Sequence, residues 1–158
     1  MKISILLPYK ENYSPSYPGA VSLFVNSVTK ESIYRENITI YGSTRYKEKL
    51  SSNYINIPLS KEFLKSQSKE YVNKFIADQK LIRPKIIEIH NRPIYIKQLT
   101  NLKTNLVLYF HNDPISMDGS RSANERVFLL NSCEKIVFNS EWSKKQFLKN
   151  LQNFYHKS

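Results

Sequence analysis

Short apolar runs and amphipathic stretches alternate along the whole chain. The apolar runs are four to six residues long, are rich in Ile, Val, Leu and aromatic residues, and are closed by Pro, Gly or Asn. Runs of this length and composition are typical of buried β-strands. They predict strands at residues 2–7, 37–41, 53–57, 86–89, 106–110 and 135–138.

In the stretches between these runs, apolar residues recur at helical spacing and predict helices with one buried face. The first helix begins at Gly19, and the second runs from Ser60, as its N-cap, to Arg83. Further helices are predicted at residues 94–102 and 121–132 and after Ser140. The residues expected on the buried faces are Val21, Phe24, Val25, Val28, Leu64, Tyr71, Phe75 and Ile76. The last helix carries the apolar residues Trp142, Phe147, Leu148, Leu151 and Phe154.

This alternation is typical of an α/β fold. We predict a Rossmann-like parallel sheet of about six strands with helices on both faces. At 158 residues the chain is long enough for one domain with a full core, so residues 1–158 are expected to form a single domain.

Two of the predicted strands end in the same tetrapeptide, His-Asn-X-Pro. The run at 86–89 leads into His90, Asn91, Arg92 and Pro93, and the run at 106–110 leads into His111, Asn112, Asp113 and Pro114. A crossover helix between the two strands would make them parallel neighbours, with their carboxyl ends at one edge of the sheet. In open α/β sheets ligands bind at that edge, so these polar residues are expected to form the functional site.

The formal net charge of +11, from 24 Lys and Arg against 13 Asp and Glu, attracts anionic partners. The basic residues are scattered and mostly Lys, without an RNA-binding signature, which disfavours specific nucleic-acid binding. Two explanations stay open. One is compositional bias in a chain rich in Lys, Asn, Ile and Tyr, and the other is an anionic membrane or an anionic acceptor. Peripheral membrane contact would use the Lys-rich side of the second helix, residues 61–74.

The lone Cys133 excludes an internal disulfide and a thiolate metal site. The histidines, at positions 90, 111 and 156, have no ligand-like spacing, so we predict no metal and no cofactor. No apolar stretch approaches the ~18 residues of a spanning helix. A cytoplasmic location is expected, either free or peripheral at the inner face of the membrane.

Gly19 lies where the first loop meets the first helix. A residue without a side chain there lets a phosphate approach the helix N-terminus, where free N–H groups favour anions. The alternative is that Gly19 only permits a tight turn. No Gly-x-Gly-x-x-Gly or Walker sequence occurs in the chain, which disfavours classical dinucleotide and P-loop chemistry.

Four motifs in order resemble the N-terminal domain of family 4 retaining glycosyltransferases of the two-Rossmann-domain (GT-B) type. They are Pro-Gly-Ala at 18–20, Ile-His-Asn-Arg-Pro at 89–93, Phe-His-Asn-Asp-Pro at 110–114 and Val-Phe-Asn-Ser-Glu-Trp at 137–142. The resemblance covers essentially the whole chain. It implies half of a GT-B fold and transfer of a sugar from a nucleotide-sugar to a saccharide or lipid-linked acceptor, with the anomeric configuration retained.

The resemblance also implies residue roles. His111 would be the catalytic residue in contact with the donor sugar, and Gly19 and Ala20 would lie against the donor diphosphate. His90 is expected to be structural and to hydrogen-bond the loop. The acceptor side would be formed by Asn91, Arg92, Asn112, Asp113, Arg121 and Arg126. Two roles stay open for Arg121 and Arg126. Either their guanidinium groups pair with an anionic acceptor in the manner typical of arginine, or the two residues lie on a solvated helix face.

Such enzymes carry a second domain that binds the nucleotide-sugar, and the sequence stops at Ser158, where the first domain would end. We therefore expect that the donor-binding C-terminal domain is absent, that a C-terminal domain or partner chain is needed, and that this chain alone is inactive. The alternative is a non-catalytic α/β module that binds an acidic glycan or a partner protein. A flavodoxin-like protein is disfavoured, because residues 8–11 hold neither an acidic cluster nor a phosphate-binding run.

Overall fold

The computed structural model describes residues 1–60 and 66–151. Its strands are β1 (Ile3–Leu6), β2 (Ile38–Gly42), β3 (Tyr54–Asn56), β4 (Ile86–His90), β5 (Asn105–Phe110) and β6 (Lys135–Phe138). They form one six-stranded parallel sheet with the order β3-β2-β1-β4-β5-β6, a Rossmann-like arrangement. The predicted fold class is confirmed, with strand bounds that differ from the predicted ones by one or two residues.

The helices lie in the intervals that the apolar spacing predicted. They are α1 (Ala20–Glu31), α2 (Gln67–Ile82), α3 (Ile96–Leu99), α4 (Ala123–Ser132) and α5 (Glu141–Leu148). Short 3₁₀ turns extend α3 on both sides, at Pro93–Tyr95 and Thr100–Leu102. The chain divides into two compact units, Met1–Ile87 and Glu88–Ser158.

In the first unit, α1 covers one face of the sheet. Ile5 and Ile40 are register partners on β1 and β2, so their side chains lie on the same face. Both belong to an apolar core that includes the buried Val21 and Val25 of α1.

Helix α2 covers the opposite face of the same strands. Leu6 and Tyr41, each one position further along its strand, form the next register pair. Phe75 of α2 meets the Tyr41 ring edge-on at 5.0 Å, and the buried Tyr71 hydroxyl donates a hydrogen bond to the Leu7 carbonyl at 2.8 Å. Helices therefore lie on both faces of this part of the sheet, as predicted.

The second unit has an aromatic core beneath β5 and β6. Phe110 and Phe138 are register partners whose rings stack at 5.6 Å, and Phe147 of α5 packs against both at 5.6 and 5.3 Å. Helix α4 begins with a capping box, in which Ser122 and Glu125 satisfy each other's backbone N–H groups.

The predicted start of the second helix is wrong. Ser66, not Ser60, caps α2, and its hydroxyl accepts a hydrogen bond from the Lys69 N–H. Ser60 instead bonds the Glu70 carboxylate through its hydroxyl at 2.6 Å and its N–H at 3.0 Å. The hydroxyl of Ser60 is used in this contact and not as a cap. Residues 61–65, which include Leu64 and two lysines of the predicted Lys-rich face, Lys61 and Lys65, lie outside the described residues.

The predicted burial of Val28 is also wrong, because this side chain is 54% exposed. The buried stripe of α1 instead includes the polar Ser22 and Thr29, because this helix turns a different set of positions toward the sheet than its apolar residues alone indicate. Of the apolar residues assigned to the last helix, Phe147 and Leu151 are buried, whereas Trp142 and Leu148 are 55% and 42% exposed. Phe154 lies outside the described residues.

Candidate functional site

The two His-Asn pairs meet at the carboxyl ends of β4 and β5, as predicted. The Asn91 N–H continues the strand pairing by donating to the Tyr109 carbonyl at 2.8 Å. The Asn91 side-chain carbonyl then accepts a hydrogen bond from the His111 N–H at 2.8 Å. Asn91 is buried and left-handed (φ 53°), a conformation that Asn tolerates better than most residues. The amide of the first pair therefore fixes the backbone of the second.

A carboxylate and two imidazoles form a continuous chain at this edge. The Glu88 Oε1 atom lies 2.6 Å from His90 Nε2, and His90 Nδ1 lies 2.8 Å from His111 Nε2. Glu88 and His90 are two positions apart on β4, so their side chains lie on the same face of the sheet. The His90 side chain is fully buried, while that of Glu88 is 29% exposed. The middle member of the chain is thus shielded from water on all sides.

The ring of Tyr109 lies against both imidazoles. It stacks on His90 at 5.3 Å with 10° between the planes, and on His111 at 4.8 Å with 21°. The two imidazole planes differ by 24°, and their centroids are 5.1 Å apart, which fits an in-line N–H···N bond between nearly coplanar rings. The orientation of His111 is therefore restrained by a hydrogen bond and by ring packing.

Burial and the neighbouring ring act on the protonation of His111. Desolvation, with a smaller contribution from the charge of His90, lowers the pKa of His111 to about 4, against the opposing charge of Glu88. His111 is consequently neutral at pH 7 and carries one ring proton. A neutral imidazole has one donor and one acceptor nitrogen, and Nε2 of His111 is used in the contact with His90.

The end of β6 supplies a further anchor. Asn139, the residue after β6, donates from Nδ2 to the His111 carbonyl at 2.7 Å, and its Oδ1 accepts from the Ser143 hydroxyl of α5 at 2.9 Å. The backbone N–H and the carbonyl of His111 are thus both held by asparagine side chains, from residues at the ends of β4 and β6.

The other predicted acceptor residues of these loops lie close in sequence but differ in exposure and in their hydrogen bonds. Arg92 is half-buried and donates to the Asn91 carbonyl at 2.8 Å, whereas Asn112 is exposed. The Asp113 carboxylate accepts from the Ile115 N–H at 3.2 Å and caps the 3₁₀ turn that follows. Their roles toward an acceptor stay predictions.

The two arginines of the next segment differ sharply. Arg121 is exposed and forms an ion pair with Asp118 at 3.0 Å. Arg126 is 4% exposed, and its guanidinium donates to the carbonyls of Ser120, Arg121 and Lys149 at 3.2, 2.7 and 2.8 Å. The guanidinium of Arg126 therefore ties two backbone segments, residues 120–121 and Lys149, to α4. Acceptor binding by either arginine stays a prediction.

In the first unit, the start of α1 holds a carboxylate of the chain itself. Gly19 is the N-cap of α1, and the Glu11 Oε1 accepts a hydrogen bond from the Ser22 N–H at 3.0 Å. A Cβ added to Gly19 would lie 1.8 Å from that oxygen. The glycine thus leaves room for Glu11 to place its negative charge at the positive end of the helix. Ala20, the first residue of α1, is exposed.

Sequence reasoning missed Glu88, Tyr109 and Glu11 as residues of these sites. Glu88 did carry a signal, since it is a charged residue within an apolar run, two positions before His90. In a strand, residues two positions apart share a face, so a carboxylate beside the imidazole was foreseeable. Glu11 carried no such signal, because nothing in a proline-rich loop shows which side chain turns back to the helix.

Sequence comparisons give no relatives: no family model matches the chain, and no curated protein matches it. A search of solved structures finds the sucrose-phosphate synthase from Thermosynechococcus elongatus, with a TM-score of 0.58 at 12% identity. The alignment covers 94% of this chain and 45% of that one, so this chain spans less than half of its neighbour's length. At this identity the likeness concerns the fold, which is glycosyltransferase-like; membership of family 4 and the N-terminal position stay predictions.

The described part of the chain holds no group of three or more His, Cys, Asp or Glu residues placed to bind a metal ion. None of its helices has the length and apolar character needed to cross a membrane.

Proposed function

We propose that this chain is the acceptor-side domain of a retaining glycosyltransferase, which moves a sugar from a nucleotide-sugar to a saccharide or lipid-linked acceptor. The observation that carries the proposal is the Glu88–His90–His111 chain at the carboxyl ends of β4 and β5. In an α/β sheet this edge is where ligands bind. The fold likeness to sucrose-phosphate synthase supports the glycosyltransferase class.

In this proposal His111 contacts the donor sugar. Its backbone is held by two asparagines and its ring by His90, so the free energy needed to orient it is supplied by folding and not by the ligand. Such preorganisation is what makes polar groups effective in catalysis. A complete enzyme would add a second domain that binds the nucleotide, in the same chain or a partner chain, and the isolated domain would be inactive.

The donor diphosphate is proposed to lie at Gly19 and Ala20, at the start of α1. Backbone N–H groups at a helix N-terminus stabilise a departing phosphate without a metal ion. The Glu11 carboxylate now bonds one of these groups, on Ser22, so a diphosphate that binds there must displace it. A Glu11→Gln variant is therefore expected to bind nucleotide-sugar more tightly than the unchanged chain.

Ligand binding by the chain tests this proposal directly. Saturation-transfer NMR with a panel of UDP-, GDP- and ADP-sugars, together with neutral and acidic oligosaccharides, would show which class binds. The test compares the unchanged chain with His111→Ala and with the control Lys145→Ala, an exposed position on α5. We expect His111→Ala to weaken binding of the sugar part and Lys145→Ala to leave it unchanged.

The alternative function and the finer parts of the proposal have separate tests. If the chain binds an acidic glycan but no nucleotide-sugar, and if His111→Ala does not change that binding, a non-catalytic glycan-binding module is favoured. Turnover in the protein with its second domain, with the anomeric configuration of the product read by NMR, tests retention. Near-normal turnover of a His111→Ala enzyme would remove His111 from the catalytic centre.

A further inference from the structure

An exposed tyrosine of the first unit has an unfavourable backbone conformation. Tyr17 has a left-handed φ of 55°, and the residue is 80% exposed. A positive φ is uncommon for a bulky residue, and Pro18 further restricts the residue before it to extended conformations. A side chain with this exposure gains little from burial, so packing does not offset the strain. Strain of this kind clusters where ligands are bound, which directs attention to the surroundings of Tyr17.

The loop that carries Tyr17 is anchored by other side chains. Residues 9–18 follow β1, and Tyr13 in this loop is fully buried. The Tyr13 ring stacks on Tyr54 of β3 at 4.7 Å with 3° between the planes, and its hydroxyl lies 2.7 Å from that of Ser51. The loop is thus held from within the fold, and the Tyr17 ring is an addition on its outer side.

Two residues of the loop that follows β2 lie beside Tyr17. The Tyr46 ring stacks on the Tyr17 ring with centroids 6.0 Å apart, and the Arg45 guanidinium lies 5.4 Å from the centre of the Tyr46 ring. Next to them, the Thr44 hydroxyl donates to the Asn12 side-chain carbonyl at 3.3 Å and ties the two loops together. We call the surface formed by Tyr17, Arg45 and Tyr46 the tyrosine platform. It follows the carboxyl ends of β1 and β2, the side of an α/β sheet where ligands bind.

The tyrosine platform carries a positive charge that no neighbouring carboxylate neutralises. Arg45 is exposed, and no carboxylate of the described residues lies within ion-pair distance of its guanidinium. The loop at residues 43–52 holds three cationic side chains and one carboxylate. A planar guanidinium binds a carboxylate or phosphate through two parallel hydrogen bonds. The platform therefore combines an open aromatic ring with a group suited to an anion.

We propose that the tyrosine platform binds one ring of an acidic saccharide. A pyranose ring has an apolar face of C–H groups, which packs on the open Tyr17 ring, and polar groups at its rim. Arg45 pairs with the carboxylate or phosphate of the same sugar. This binding does not require transfer activity. That the saccharide is the acceptor of a sugar transfer rests on the proposed function.

A nucleic acid also combines stacking rings with anionic groups, but the tyrosine platform offers only a single open ring. Sites for single-stranded nucleic acid stack several successive bases along a basic groove. The other tyrosines of the first loop are used within the fold, since Tyr9 packs against Tyr71 and Tyr13 against Tyr54. One open ring beside one free guanidinium matches one acidic sugar ring.

NMR titration of the chain with small sugars tests the proposal. The probes are methyl β-D-glucuronide, glucose 6-phosphate and the neutral methyl β-D-glucoside, each at millimolar concentration. We expect the two acidic probes to shift the Arg45 Nε–H and Tyr17 ring signals, and at least one of them to bind about threefold to tenfold more tightly than the neutral probe. Equal binding of all three probes, or no binding of either acidic probe, would overturn the proposal.

The two ends of β2 supply matched control variants. Tyr34 and Arg35 are exposed and precede β2, just as Arg45 and Tyr46 follow it. We expect Tyr17→Asn to abolish binding and Arg45→Gln to reduce the acidic probes to the affinity of the neutral one. The controls Tyr34→Asn and Arg35→Gln should leave all affinities unchanged. Equal losses in the platform variants and in the controls would refute binding at the platform.

Stability measurements separate ligand binding by Tyr17 from a packing role. Because asparagine tolerates a left-handed backbone better than tyrosine does, Tyr17→Asn should keep or raise the urea midpoint while it loses binding. A clear fall in the midpoint would show that the ring stabilises the loop and would overturn the argument from strain. Binding of a short oligothymidylate in place of the sugars, lost in Tyr17→Asn, would overturn the proposal in favour of nucleic acid. None of these measurements involves His111, so their failure leaves the test of the proposed function unaffected.

Discussion

Acid should destabilise this protein in a pH range set by His111. Desolvation and His90 lower the pKa of this histidine to about 4 in the folded state, from an ordinary value near 6.5. Between these two values the unfolded chain binds more protons than the folded one, so stability falls as the pH falls. The full contribution is present above pH 6.5 and is lost progressively toward pH 4.

The size of the effect follows from the two pKa values. At pH 5 the unfolded state gains about 2 kcal/mol from protonating this side chain, whereas the folded state gains almost nothing. Against a total stability of about 5–15 kcal/mol, it is large enough to measure.

Urea denaturation of the unchanged chain and of His111→Gln, each at pH 7.5 and pH 5.0, measures this loss of stability. A glutamine side chain does not titrate in this range, and its amide can still reach toward His90. With a urea dependence of about 2 kcal/mol/M, the unchanged chain should lose about 1 M in midpoint between the two pH values, and the variant clearly less. Hydrogen bonds to Lys74 and Ser60 lower the pKa of Glu70 to about 2. Protonation of Glu70 therefore changes stability only below about pH 4.5, outside the range from pH 5.0 to pH 7.5. Equal losses in both proteins would refute the reasoning.

Three further predictions concern residues away from the histidines. Tyr71→Phe should lower the free energy of unfolding by about 1–3 kcal/mol in urea denaturation, because the buried Tyr71 hydroxyl donates a hydrogen bond to the Leu7 carbonyl. The control Tyr34→Phe, at an exposed position, should change the free energy of unfolding by less than about 0.5 kcal/mol. Arg126→Met should lower the free energy of unfolding by about 1–3 kcal/mol in the same measurement, since the buried Ser120 carbonyl and the partly buried carbonyls of Arg121 and Lys149 lose their donor. Cys133, whose pKa burial raises to about 12, should react with a thiol reagent at neutral pH only after denaturation.

The strands were predictable because a parallel sheet buries both faces of its strands. Every strand of the described sheet lies within one or two residues of an apolar run that the sequence displays. Helix faces were less predictable, as α1 shows. There Val28 is exposed while Thr29 is buried, because the local shape of the sheet decides which positions a helix turns inward.

Part of the site could be predicted from chain topology. The strand ends fix where His111 and Asn91 lie, and the structure joins them by a hydrogen bond of 2.8 Å. The contact between His90 and His111 was not predicted, since two residues at neighbouring strand ends can point toward or away from each other. The depth at which His90 is buried depends on Tyr109 and on the packing around it, which no local pattern encodes.

The start of α1 shows a different limit. Sequence reasoning expected an external phosphate near Gly19, and the structure has the Glu11 carboxylate bonded to the Ser22 N–H. Both are anions at the positive end of a helix, so the physical reasoning about the helix applies to either. Which anion is present depends on the path of a ten-residue loop, residues 9–18, and that path has no periodic signal in the sequence.

The polar chain at the end of β4 and β5 is costly in terms of stability alone. Burying an imidazole completely, next to a carboxylate, requires that every donor and acceptor be satisfied, and apolar residues of similar volume often stabilise a core at least as well. The contacts of Glu88, His90 and Tyr109 converge on one side chain, that of His111, which is only partly buried. A network of this kind restrains the orientation and the protonation of its last member. We therefore infer that its role is to present His111 in one defined state at the edge of the sheet, where a ligand can meet it.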